Sequence, residues 1–177
     1  VAVESQAQAA GAGGAADFRQ LHALRLFTQA FTARDIAEPL PSFDADTPAA
    51  GAREAMASRG WGVAALRSDG LVAAHLRFED LDSGTCADHG RPFSRGQVVA
   101  ADASLSEVIH VLTRFNACYV DMFGDIGGVI QRADIHKPVV RMWLFGMITI
   151  IEIKVTERVQ AAFPGDGWQS ALTPARL

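Results

Sequence analysis

The sequence is poor in the residues that announce the commonest chemistries. Only two of its 177 residues are cysteine, Cys86 and Cys118, too few for a disulfide framework. Its 16 basic residues are outnumbered by 20 acidic ones, for a formal net charge of −4, and no dense Lys/Arg run occurs. That balance gives no electrostatic reason to expect nucleic acid, whose binding normally needs a basic surface patch. The uncharged apolar run Met142–Ile151 falls short of the ~20 residues that cross a bilayer, so no membrane span is expected. The N-terminus lacks the basic start and apolar core of a secretion signal. With the cysteine count, this predicts a reducing, cytoplasmic setting. The motifs Gly-x-Ser-x-Gly, Gly-x4-Gly-Lys-Ser/Thr and His-Glu-x-x-His are missing too. The expectation is a protein that is not an enzyme and requires no cofactor. The hydrophobic share of 49% still supports a packed core.

What the chain does have is an internal repeat. The stretch Gly127-Gly128-Val129-Ile130-Gln131-Arg132-Ala133-Asp134 reads as a short apolar strand ending in polar residues. Upstream, Val72-Ala73-Ala74-His75-Leu76-Arg77-Phe78-Glu79-Asp80 has the same shape, 54 positions earlier when Asp80 is set on Asp134 (134 − 80). Ala74 then falls on Gly128 and Arg77 on Gln131. Each copy is preceded by a helical run, one opening near Thr47-Pro48 and one near Ser104-Leu105. A repeat at a fixed offset fixes the architecture before any single element is assigned. At Gly128 a ligand or another backbone can approach closely. Asp134 can accept hydrogen bonds from two sugar hydroxyls or cap the helix that follows.

In order, residues 1–16 form a flexible lead of Ala, Gly, Ser and Gln. Residues 17–35 form a helix capped by Asp17 and running to about Arg34. Its apolar face is Phe18, Leu21, Leu24, Phe27 and Phe31, packed on its own domain or across a dimer. Residues 36–81 are the first repeat. Pro39 and Pro41 confine its start to an edge segment, Thr47 caps a helix with Pro48 in its first turn, and Asp69-Gly70 turns a hairpin. Residues 82–96 are a polar surface linker. Cys86 and His89 have a metal-site spacing there, but no partner pair follows. Residues 97–138 are the second repeat. Ser104 and Glu107 make a capping box, and Val108, Ile109, Leu112 and Phe115 face inward. Residues 139–177 are a C-terminal helix and tail. Alternation over Ile151–Val155 also fits a strand, but the lack of turn residues from 147 to 163 predicts one long helix starting at Pro138. Its apolar start must be buried on several sides, as in a homodimer core. Trp168 and Leu172 are expected to fold back onto the module.

The repeated segment resembles the cystathionine-β-synthase (CBS) domain, found as tandem pairs called Bateman modules and marked by Gly-apolar-x-Thr/Ser-x-x-Asp. The second copy keeps Gly128 and Asp134 and has Gln131 at the hydroxyl position; the first keeps Asp80, with Ala74 and Arg77 at the others. The stretch Lys137–Gly146 is similar to a tail after the CBS pair in some bacterial proteins. The resemblance implies an α/β (α+β) fold of two strand-helix-strand-strand-helix repeats about a pseudo-twofold axis, flanked by N- and C-terminal helices. It also implies a regulatory module binding AMP, ADP, ATP, NAD or S-adenosylmethionine between the repeats, signalling through homodimer geometry to a separate effector protein. Asp134 would hold ribose in the better site and Asp80 in the poorer one. Gln131, Arg132 and Arg77 would meet phosphate, Gly128 would allow backbone approach, and Tyr119 and Ile130 would line the adenine pocket. On this reading Asp134→Ala weakens binding by roughly 1–3 kcal/mol. The alternative is a structural dimerisation module with empty clefts.

Overall fold

The computed structural model describes residues 29–165 together with Arg25 and Gly167. The expected flexible lead, most of the N-terminal helix, and Trp168 and Leu172 lie outside the described residues. The chain divides into two compact units, Thr32–Lys137 and the pair of flanking segments.

Within Thr32–Lys137 the order is β1 (Glu38–Pro39), β2 (Ser42–Asp44), α1 (Ala49–Arg59), β3 (Val63–Ser68) and β4 (Leu71–Arg77), then a 3-10 turn over Phe78–Asp80. The second half follows as β5 (Val98–Ala100), α2 (Leu105–Arg114), β6 (Ala117–Met122) and β7 (Asp125–Gln131), then a 3-10 turn over Arg132–His136. One sheet is β2-β3-β4 and the other β1-β7-β6-β5. The repeat is visible in the ladders themselves. Ala65 stands opposite His75 as Tyr119 stands opposite Val129, and the register slips at Leu66/Arg67 in one hairpin and at Val120/Asp121 in the other. The hairpin turns match as well. Asp69 and Gly70 have φ of 52° and 80°, Phe123 and Gly124 of 64° and 97°, the paired positive values that suit a right-twisted hairpin.

The edge reading of Pro39 holds, but the strand it occupies joins the other repeat. β1 pairs antiparallel with β7, Glu38 opposite Val129 and Pro39 opposite Gly128. Pro39 has no N–H to donate, and an edge position tolerates that. In the same way the connector places Arg91 opposite His75 beside β4.

Several expectations change. The chain does not stay helical to Arg34: Thr32 bridges Ser104, and Ala33–Asp35 is a 3-10 turn held by Asp35 accepting from the Thr32 N–H at 2.7 Å. Thr47 does not cap α1 with its side chain; Pro48 is the N-cap. The connector supplies the partners instead, with the Ala49 N–H donating to the Gly84 carbonyl at 2.9 Å and the Cys86 N–H to the Thr47 carbonyl at 2.8 Å. The stretch 82–96 is exposed along most of its length but tied to the first repeat by these backbone bonds and by Cys86. Cys86 is fully buried in the cluster of Ala52, Met56, Leu66, Leu76 and Leu81. His89 faces the Ser83 carbonyl, 2.6 Å from Nε2. Within Thr32–Lys137 each repeat closes with a 3-10 helix, Phe78–Asp80 and Arg132–His136. After Asp80 the chain turns extended at Leu81, whose burial, with the positive φ of Gly84 (74°), redirects it.

On α2, Ser104 Oγ accepts from the Glu107 N–H at 3.2 Å. Leu105, Val108, Val111 and Leu112 are buried, whereas Ile109 is half-buried and Phe115 lies just past the helix end.

The other unit contains α3 (Pro138–Ala162), the single long helix that the lack of turn residues predicts. Its buried residues form one stripe, Val140, Trp143, Gly146 and Ile150. Met142, Leu144, Phe145, Ile148, Ile151, Ile153, Val155 and Val159 are exposed, so the described residues do not cover the helix on several sides. Among the described residues no helix is long and apolar enough to cross a membrane.

Candidate functional site

Side chains two apart on a strand share a face. His75 and Arg77 on β4 therefore point the same way, as do Ala117 and Tyr119 on β6. Both pairs line a cavity of about 460 Å³ within Thr32–Lys137, a size that suits a small-molecule ligand. Val63 adds an apolar wall from β3, and Phe115 and Asn116 enter as the chain leaves α2. Arg114 comes from the last turn of α2, Arg91, Pro92 and Ser94 from the connector, and Gln97 from the turn before β5.

Three guanidinium groups thus meet one cavity, and no carboxylate is among its lining residues. Arg77 is ion-paired to Glu79 with both side chains partly exposed, so water screens the pair and leaves the arginine free to exchange partners. Beside the arginines is an aromatic cluster. The His75 and Tyr119 ring centres lie 5.1 Å apart, Phe93 and Tyr119 meet edge-on at 4.8 Å, and His75 and Phe93 are 5.4 Å apart. Burial lowers the pKa of His75, and the charges of Arg91 and Arg77 push it the same way. Its Nδ1 is buried without a hydrogen-bond partner. Burial raises the pKa of Tyr119, with Arg77 working against it. A neutral aromatic wall facing fixed positive charge suits a flat, uncharged ring joined to an anion.

Asp80 adjoins this cavity behind Arg91, whose Nε is 2.7 Å from Asp80 Oδ2. The contact is an ion pair without hydrogen-bond alignment, since that buried oxygen has no aligned donor.

Of the residues singled out from the sequence, Arg77 and Tyr119 line this cavity together, and Gly128, Ile130, Gln131, Arg132 and Asp134 are not among its lining residues. Ile130 is fully buried in the core. Arg132 is exposed. Gln131 lies beside Gly62, just before β3, where an added Cβ would stand 3.4 Å from its Oε1. Asp134 acts as a cap, accepting from the Gln131 N–H at 2.7 Å, and pairs with Lys137 at 3.1 Å. Lys137 also donates to the Ile36 carbonyl at 2.6 Å and to Glu38. Burial opposes the charge of Lys137, but the bonds to Glu38 and Asp134 outweigh it and raise its pKa. At Gly128 the close neighbour is the chain itself, because an added Cβ would lie 3.3 Å from Ala37 Cβ and 3.1 Å from Val120 Cβ.

Sequence reasoning missed Arg91, Arg114, Phe115 and His75. The usable signal was the repeat. Glu38, opposite Val129, stands where Arg91 stands opposite His75, so the two repeats carry opposite charge at matching positions.

No protein-family model matches the chain, and no curated protein matches it. Solved structures match in fold. CBSX2 in complex with AMP superposes with a TM-score of 0.52 and 20% identity, over 64% of this chain and 96% of that one. The CBS domain of the bacterial CNNM/CorC family Mg2+ transporter in complex with ATP gives 0.53 at 13% identity, over 70% and 96%. A conserved CBS domain protein of unknown function from Thermoplasma acidophilum gives 0.52 at 13% identity, over 69% and 76%. At such identities the likeness is one of fold.

Proposed function

We propose that this chain, which has the fold of a tandem CBS domain pair, is a regulatory, non-catalytic module that binds an adenosine-containing nucleotide in the cleft beside Asp80. The carrying observation is the convergence of Arg77, Arg91 and Arg114 on a cavity walled by Val63, Phe115, Ala117 and Tyr119. Guanidinium groups take phosphate oxygens in paired hydrogen bonds, and the apolar and aromatic wall takes the base. Asp80 receives the ribose hydroxyls. The AMP and ATP in two of the matching structures support the same ligand class. Among AMP, ADP, ATP, NAD and S-adenosylmethionine, the positive lining favours the anionic members over the sulfonium. The cleft at Asp134 is the weaker one, because its aspartate is already committed and its position matching Arg91 is the acidic Glu38.

The module works in a reducing, bacterial cytoplasm as a homodimer, and a separate effector protein reads its geometry. The buried free thiols of Cys86 and Cys118 suit that setting, and the exposed apolar residues of α3 suit a second copy. The α3 surface also favours a second reading, a dimerisation scaffold with an empty cleft.

Calorimetric titration of nucleotide-free protein separates the two. Micromolar binding of ATP, ADP or AMP that is lost in Arg77→Ala supports the nucleotide module. No heat from any nucleotide, with folded and ligand-free protein, leaves the scaffold. Phe145→Asp should halve the mass in light scattering, and an unchanged mass refutes the dimer through α3.

A further inference from the structure

We propose that Arg91 is a latch on Asp80, and that it makes the cleft selective for ligands carrying a vicinal diol and phosphate in one molecule. The inference rests on the nucleotide reading of the cleft and adds how that cleft discriminates.

Arg91 belongs to two cavities. One is the arginine-lined cleft; the other, of about 480 Å³, is acidic and includes Asp80, Asp82 and Asp88 in its walls. Asp80 lines only the second, so the Arg91 side chain stands between its carboxylate and the cleft. The Arg91 backbone is fixed by two 2.9 Å hydrogen bonds with His75, one in each direction, whereas its side chain is half exposed and can swing. The pair it makes with Asp80 is close but unaligned, which leaves a buried acceptor oxygen without a proper donor.

Phosphate entering the cleft offers Arg91 a second anionic partner beside Arg77 and Arg114. Once Arg91 turns toward it, the Asp80 carboxylate is uncovered and can accept from two adjacent hydroxyls. A nucleotide makes both exchanges at once and leaves no charge unpaired. A nucleoside must break the pair and strand Arg91; a bare polyphosphate must break it and strand Asp80. Leaving either charge without a partner is the costly outcome. The second repeat has no such device, because Asp134 is tied both to the Gln131 N–H and to Lys137.

The test is calorimetry with ATP, adenosine and tripolyphosphate on the wild type, Arg91→Ala and Asp80→Asn, each checked for fold by circular dichroism. In the wild type both fragments should bind far more weakly than ATP. Arg91→Ala should weaken ATP by at least about tenfold yet tighten adenosine several-fold, since the carboxylate is then open. Asp80→Asn should weaken ATP and tighten tripolyphosphate. Adenosine that weakens or stays unchanged in Arg91→Ala overturns the latch, as does tripolyphosphate that does not tighten in Asp80→Asn. If Arg91→Ala fails to fold, the Asp80→Asn result decides alone. A wild type that binds no nucleotide refutes the cleft reading itself, an outcome distinct from either variant's failure.

Discussion

Replacing Gly128 by alanine tests what the glycine is for. An added Cβ would stand 3.1 Å from Val120 Cβ, 3.2 Å from Met122 Cε and 3.3 Å from Ala37 Cβ. Met122 Cε is the end of a flexible side chain and can move. Val120 Cβ and Ala37 Cβ are anchored directly to backbone, one in β6 and one just before β1, so relief requires the sheet to shift. Forcing a methyl into such a site costs about 1–3 kcal/mol. Removing glycine's freedom from the unfolded chain returns about 0.4–1 kcal/mol. The net loss is about 1.5 kcal/mol, and with an m-value near 2 kcal/mol/M the urea midpoint should fall by about 0.7 M. Nucleotide affinity below the transition should be unchanged, because Gly128 does not line the arginine cleft. Ala74, at the matching position of β4, already carries the methyl. An unchanged midpoint with collapsed affinity would refute the reasoning and return Gly128 to the ligand.

Three further outcomes follow from the same geometry. Asp134→Ala removes a cap and should cost about 0.5–2 kcal/mol in a melt while leaving nucleotide affinity intact; an affinity loss of about tenfold would place the working cleft in the second repeat. His75 has a lowered pKa, so the unfolded chain takes the proton first as pH falls, and stability present above its ordinary value is lost on going down through it. His75→Gln should flatten the fall in melting temperature between pH 7.5 and 5.5, and parallel curves would remove His75 from the account. Burial raises the Cys86 pKa and pushes Cys118 up to about 12, so neither thiol should react with a disulfide reagent at pH 8 until urea unfolds the chain; rapid labelling of the native protein would contradict their burial.

The architecture was legible because a repeat is read twice. Asp69-Gly70 signals its hairpin alone, and the 54-residue offset then locates the second hairpin around Phe123, a residue few would place at positive φ. The long helix was legible from missing punctuation between residues 147 and 163. The cleft was harder. Arg77 and Tyr119 were visible on strands, but Arg91 sits in a polar connector with no periodicity, and only its pairing opposite His75 brings it to the site. The choice between Asp80 and Asp134 was also beyond a motif. Both repeats keep the aspartate, and what separates them is how it is held: Asp80 by an unaligned ion pair with Arg91, Asp134 by the Gln131 N–H and Lys137 together.

The exchange of β1 has a consequence for how the chain is made. The sheet of the second repeat is finished by Glu38 and Pro39, which leave the ribosome long before their partners Val129 and Gly128. Those two residues must stay unpaired through most of synthesis, and the strand order of the second half cannot be completed in isolation. The module should therefore fold late and as a whole, through a closure of high sequence separation that is intrinsically slow. Cutting it at the connector should leave the second fragment without its edge strand until the first fragment is added.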